Sequence, residues 1–282
     1  MTLVVPLTGS MVAGPLGLAH LPRLWQKALL KTVGCLPADY KSGTGGFDTA
    51  VTKGVGIDLQ ALVNFLRVIP TYEETEAWVR ANATNLGGVP ETTEYLVQRE
   101  MPADRAAAMR ERCGITNAQF GRNAYLNNID DLATLHEYLI ASRDAVPSPI
   151  VPAVSSFAKG PLGLVHLPRM WTKAAVKAAG ALAESYHTDS EALDQRLAEA
   201  IRMDLRAAMR FISAALPSYM TFERWIRDHV GAIDLNAVAR WNDTVQSVEA
   251  TAHAVLRSDV LDWTLLHDEV VTTARGGLVR GG

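Results

Sequence analysis

One stretch of this chain is written twice. Residues 14–31 read GPLGLAHLPRLWQKALLK and residues 160–177 read GPLGLVHLPRMWTKAAVK, identical at 13 of 18 positions and 146 residues apart. A spacing near half of the 282 residues marks duplication of a whole domain, since solenoid units recur every ~20 to 50 residues. The chain has room for two domains of ordinary size. Its 48% hydrophobic and 20% charged residues suit a globular protein with a real core.

Each copy carries helix signals in the same order. Gly14, Pro15 and Gly17 mark an irregular lead-in, and Pro22 suits a first helical turn, where its missing N–H costs nothing. Leu24, Trp25, Ala28 and Leu29, with Lys27 and Lys31 on the outer side, predict a helix ending near Gly34. Residues 35–54 read as a Gly-rich connection with a short helical or irregular piece around Asp48. Asp58 is an N-cap for a helix with Leu59, Leu62, Val63 and Leu66 on one face, and Pro70 stops it. Thr71 with Glu74 forms a capping box. Residues 85–90 read as a loop, weaker helices follow near 91–100 and 103–112, and Asp130 or Asp131 caps a last helix through Leu132, Leu135, Tyr138 and Leu139.

Pro147, Pro149 and Pro152 predict an extended connector over residues 143–157, between a first domain at 1–142 and a second at 158–282. In the second copy Pro168 starts a helix and Gly180 ends it. Thr188 with Glu191 offers a capping box for a helix through Leu193, Leu197 and Ile201. Asp204 matches Asp58, and Pro217, Tyr219, Glu223 and Trp225 match Pro70, Tyr72, Glu76 and Trp78. Asp234 caps a long helix to about Leu256, Ser258 to Glu269 gives a short helix or turn, and a mobile tail follows. No useful stretch alternates like a strand. The fold class is therefore all-α, two homologous helical domains packed as an intramolecular pseudo-dimer about a two-fold axis.

The shared motifs are Leu21-Pro22-Arg23 with Lys27, Tyr40, Asp48, Gly56-Ile57-Asp58 and Trp78-Val79 in the first copy. The second has Leu167-Pro168-Arg169 with Lys173, Tyr186, Leu193-Asp194-Gln195, Asp204 and Trp225-Ile226. Together with Arg240-Trp241-Asn242 and Asp259 through Trp263, this set resembles a bacterial domain-of-unknown-function family, number 5069. The chain departs from that family's pattern at Gln26 and Thr172, where an Asp commonly precedes the motif Lys. The second copy also lacks the Gly-Ile of Gly-Ile-Asp. The resemblance implies a fold and no activity.

Several function classes are excluded by what is missing. A net charge of −3 gives no electrostatic footprint for nucleic acid. Cys35 and Cys113, both in the first half, make neither a disulfide framework nor a thiolate metal cluster, and fit a reducing cytoplasm. The N-terminus lacks a basic region, and Pro6 and Gly9 interrupt its apolar run, unlike a signal peptide. No apolar run approaches the ~18 residues of a membrane helix. Gly43 to Gly46 is no phosphate loop, lacking the Gly-Lys-Ser/Thr ending and a preceding strand. No spacing assembles a hydrolytic triad, and no redox cofactor or metal is assigned.

The remaining candidates are the duplicated polar residues. His20 and His166 sit at the mouth of a helix N-terminus, where the dipole favours a neutral imidazole; each is either a base or a buttress bonded to backbone. Arg23 and Arg169 lie in the first turn, against the dipole, and need a partner, either Asp48 or Asp194 or an anionic ligand. Tyr40 and Tyr186 are proton donors or buried hydroxyls. Trp25 and Trp171 are core anchors or substrate contacts. The expectation is a small-molecule enzyme without redox cofactor, working by acid–base chemistry (cyclisation, isomerisation or elimination) in a pocket at or near the domain interface. In it His20 or His166 is the base, Arg23 or Arg169 the anion anchor and Tyr40 or Tyr186 the donor. The alternative is a non-catalytic binding or scaffold protein. A monomeric cytoplasmic protein, with a small molecule as its partner, is expected in either case.

Overall fold

Leu21–Pro22 and Leu167–Pro168 begin matching helices, as the proline positions require. In the computed structural model, which describes residues 5–38, 40–118, 120–142, 149–186, 191–249 and 257–279, these are α1 (Leu21–Thr32) and α8 (Leu167–Ala178). Between and after them run α2 (Gly46–Gly54), α3 (Leu59–Leu66), α4 (Tyr72–Asn82), α5 (Val89–Gln98), α6 (Ala103–Cys113), α7 (Asn123–Ala141), α9 (Glu191–Ile201), α10 (Leu205–Ala215), α11 (Tyr219–Val230), α12 (Leu235–Glu249) and α13 (Arg257–Val279). The described residues hold isolated β-bridges but no strand. The fold is all-α, and among the described residues no helix is long and apolar enough to cross a membrane.

The local capping rules operate as read. Asp58 accepts from Ala61 N at 2.7 Å and Asp204 from Ala207 N at 2.9 Å. Thr71 and Glu74 close their capping box. Four readings change. Lys27, read on the outer side of its helix, is buried, because its ammonium is held by Asp48. Asp130 and Asp131 cap nothing, because α7 begins at Asn123, a turn and more earlier. The last helix is no short piece, since α13 runs through Val279. Of the extended connector expected over 143–157, residues 143–148 lie outside the described residues; in the rest Ile150, Ala153 and Ser156 are buried, and Ile150 exchanges backbone bonds with Ala181 and Ala183. The expected Thr188–Glu191 box, and residues 250–256 at the end of the expected long helix, lie outside the described residues.

The packing repeats reciprocally. Trp25 Nε1 donates to Pro70 O at 2.9 Å and Trp171 Nε1 to Pro217 O at 3.1 Å. The helix that closes each half reaches into the other. Leu126, Leu132, Leu135 and Leu139 of α7 join the apolar cluster of α8–α12, while Trp263, Leu266 and Val270 of α13 join that of α1–α5. His136 Nε2 on α7 bonds Leu216 O at 2.9 Å, and His267 Nε2 on α13 bonds Ile69 O at 3.1 Å. Ile69 and Leu216 each precede a proline, which denies them helical backbone, and both adopt positive φ.

A buried Tyr–Glu strut holds each lead-in over its helix. Tyr72 donates to Glu76 and Tyr219 to Glu223, at 2.9 and 2.7 Å, and the same carboxylates accept from Leu16 N and Leu162 N. A Cβ on Gly14 or Gly160 would collide with these pairs, which explains the glycine that opens each Gly-Pro-Leu-Gly. Glu223 is fully enclosed and its Oε2 has no hydrogen-bond partner among the described residues. Burial raises its pKa from 4.5 to about 7, against the opposing effects of Tyr219, Leu162 N and Arg227. Between those values folded Glu223 keeps a proton that the unfolded chain has lost, so its contribution is present below pH 4.5 and disappears as pH rises to 7, by up to about 3 kcal/mol. Glu223→Gln removes this dependence. Urea midpoints should show the variant gaining on the parent between pH 5 and pH 8.

Candidate functional site

His20 and His166 occupy the N-cap positions of α1 and α8 with φ of 71° in both. That left-handed backbone is uncommon outside glycine and concentrates at functional or tightly constrained positions. It turns each ring inward, where His20 Nε2 lies 2.8 Å from Asp48 Oδ1 and His166 Nε2 2.8 Å from Asp194 Oδ1. Lys27 Nζ donates to Asp48 at 2.7 Å and Lys173 Nζ to Asp194 at 2.8 Å. The spacing is helical: His, Arg and Lys at 20, 23 and 27 share one face of α1.

Electrostatics fix the tautomer. Burial lowers His20 from 6.5 to about 4, with Asp48 opposing and Lys27 assisting, and burial lowers His166 likewise. Burial alone would raise Asp48, but the hydrogen bond from His20 and the charge of Lys27 hold it below the usual carboxylate range. Asp48 is thus ionised and can only accept, so neutral His20 carries its hydrogen on Nε2 and leaves a lone pair on Nδ1. Desolvation, rather than the helix dipole invoked from the sequence, is the leading cause that favours the neutral imidazole.

The two halves then part company. His166 Nδ1 lies 3.1 Å from Ser156 Oγ, which is also 3.1 Å from Ser258 Oγ. Ser156, His166 and Asp194 therefore form one hydrogen-bonded chain, drawn from separations of 10 and 28 residues that no local motif encodes. In the first half the equivalent atoms, His20 Nδ1 and Ser10 Oγ, are buried and have no hydrogen-bond partner among the described residues. Ser10 carried no signal of its own in the sequence; only its position 146 residues before Ser156 could have drawn attention to it.

The arginines found different partners from those expected. Arg23 meets Asp131 through two bonds at 2.7 and 3.1 Å and donates to Pro6 O and Thr8 O. Arg169 pairs with Asp262 through both terminal nitrogens and donates to Val154 O and to Tyr186 Oη at 2.8 Å. Asp48 and Asp194 are instead taken by His and Lys. Tyr40 donates to Asp131 at 2.9 Å, and burial, reinforced by that carboxylate, pushes its pKa far up. Burial raises Tyr186 too, with Arg169 opposing.

His20, Arg23, Tyr40 and Asp48 line a cavity of about 410 Å³, together with Ser10, Lys27 and residues of α6 and α7. Among the described residues its lining comes from 10–134, all within the first half. A smaller, largely apolar cavity of about 230 Å³ lies between the two halves and contains none of the predicted site residues. Trp25 and Trp171 line neither; both are fully buried core side chains. Among the described residues no group of three or more His, Cys, Asp or Glu is placed to hold a metal ion. Compared with known proteins, the chain matches no family model, no curated protein and no solved structure.

Nitrogen-15 NMR of the imidazoles provides the check on this site. His20 should show a protonated Nε2 and an unprotonated Nδ1 at pH 6 and should titrate near 4. A pKa near 6.5 would show the ring to be solvated.

Proposed function

We propose that the first half is a small-molecule enzyme site working by acid–base chemistry without a redox cofactor. The observation that carries this reading is the buried, unpartnered Nδ1 of His20 in a residue that lines the cavity while its Nε2 is tied to Asp48. A neutral imidazole locked in one tautomer is a general base with its lone pair already oriented. A proton taken by Nδ1 makes an imidazolium that the ionised Asp48 stabilises, and the same ring returns the proton in the second half of an isomerisation, elimination or cyclisation. Tyr40 fits the donor role less well, because its hydroxyl is already committed to Asp131; it orients that carboxylate with Arg23.

The second half favours the other reading for its own copy. Its His166 Nδ1 is satisfied by Ser156 and its Arg169 by Asp262 and Tyr186, so the repeated motif there serves packing. The test is incubation with a pool of polar metabolites, read by mass spectrometry for compounds consumed and formed. His20→Gln should lower turnover by about a hundredfold or more, and His166→Gln should leave it unchanged in folded protein. Turnover surviving in both variants overturns the assignment.

The chain is further proposed to be a tandem duplication of a domain like family 5069, packed as an intramolecular pseudo-dimer and acting as a cytoplasmic monomer. The reciprocal bonds of His136 and His267, each to the residue before a proline in the opposite half, support this. Sedimentation velocity should give a single species of 30.5 kDa; a concentration-dependent dimer would contradict it.

A further inference from the structure

The cavity holding His20 carries an excess of positive charge that the acid–base proposal does not use. Six cations line it, Arg23, Lys27, Lys41, Arg99, Arg105 and Arg112, against three carboxylates, Asp48, Asp130 and Asp131. Arg23 is matched by Asp131, Lys27 by Asp48 and Arg112 by Asp130. Lys41, Arg99 and Arg105 have no ion-pair partner among the described residues. Arg99 is nevertheless oriented, donating to Tyr95 Oη at 3.0 Å with its guanidinium 5.7 Å from the centroids of Phe47 and Tyr95.

The N-terminus of α2 opens on the same space. Thr44, Gly45 and Gly46 line the cavity, and the N-cap Gly45 supplies no side-chain bond to the first-turn N–H groups. A helix start left uncapped beside unmatched cations favours a bound anion. The carboxylate in that first turn, Asp48, is already occupied by His20, Lys27 and Gly43 N. The stretch has none of the P-loop sequence; it contributes a helix end instead.

These features belong to the first half. The interval between α5 and α7, residues 99–122, contains α6 with Arg105 and Arg112, whereas only residues 250–256 separate α12 from α13. Lys41-Ser42-Gly43-Thr44-Gly45 stands where the second half has His187-Thr188-Asp189-Ser190-Glu191, which exchanges a lysine and glycines for carboxylates and capping residues. Thr93 and Asn242 make equivalent contacts to the two lead-ins, and in that register Val248 replaces Arg99.

We infer that this cavity binds a small molecule carrying a phosphate monoester, with Lys41, Arg99, Arg105 and the start of α2 holding the dianion and the remainder of the molecule extending toward His20 and Ser10. The inference rests on the reading of this cavity as the ligand site. A phosphate monoester carries close to two negative charges at neutral pH, which three cations and a helix terminus accommodate. Its remaining atoms fit within a volume typical of small-molecule sites.

Isothermal titration calorimetry with glycerol 3-phosphate tests this, with inorganic phosphate, malonate and ionic-strength-matched chloride as separate arms. Saturable one-to-one binding of glycerol 3-phosphate is expected, stronger than malonate, with chloride inert. Arg105→Ala and Lys41→Ala, both at exposed positions, should each weaken it about tenfold. Lys177→Ala in the second half should not. Failure of glycerol 3-phosphate and phosphate to bind, equal loss in Lys177→Ala, or tighter binding of malonate overturns the phosphate assignment. His20→Gln separates the two proposals. Phosphate affinity retained in a variant without turnover supports both, and turnover of neutral compounds by a parent that ignores phosphate removes this inference alone.

Discussion

Arg23 and Arg169 enter the interior at the first turns of α1 and α8, where the helix dipole opposes a cation, and neither is sustainable there without a carboxylate. Taking both ions of a pair from water costs several kcal/mol each, so the geometry around them has to be nearly complete. Each guanidinium gathers a carboxylate from the closing helix of its own half, carbonyl oxygens from the segment before the lead-in, and a tyrosine nearby. One side chain thus fixes three segments that are distant in the chain. Removal of Asp131 or Asp262 would leave an uncompensated buried charge, and this dependence accounts for a Leu-Pro-Arg motif that survives in both copies.

On this common framework the halves make opposite use of a histidine. In the second, every polar atom of the ring is bonded and the environment is that of a satisfied core. In the first, Nδ1 of His20 and Oγ of Ser10 find no partner among the described residues, each at a cost of ~1–3 kcal/mol. The cavity beside them is lined in part by α6 and rimmed by cations. Stability given up at one of two equivalent places, where the alternative is visible in the same molecule, is what supports the site proposed for the first half.

Helix starts were readable wherever a single side chain decides them. Asp58, Asp204 and Thr71–Glu74 act within three residues, and prolines act on their own backbone, so tertiary context has little to alter. The candidate residues were readable through repetition: His20, Arg23, Tyr40 and their counterparts do converge on two buried clusters. Their pairing was not. Asp131 and Asp262 lie within helices at positions where an acidic residue ordinarily faces water, and near a helix start Asp131 looks like a cap. Only the docking of α7 and α13 converts them into partners of buried arginines. Ser10 and Ser156 lie in segments without periodicity, and the apolar pattern of residues 150–156 is too short to distinguish buried chain from a connector.

By itself the sequence determined that this protein is helical and that one stretch recurs at a spacing of 146 residues, and it picked out polar side chains at matching positions, because capping, proline geometry and repetition are local properties of the chain. Tertiary structure decided which carboxylate meets which cation, that the closing helices engage the opposite halves, and that one histidine keeps a free lone pair beside a cationic cavity while its twin does not. Those outcomes depend on distances between residues tens of positions apart, and burial makes them decisive: once water is excluded, a charge or hydrogen-bonding atom without a partner is costly, and packing decides which segment supplies one.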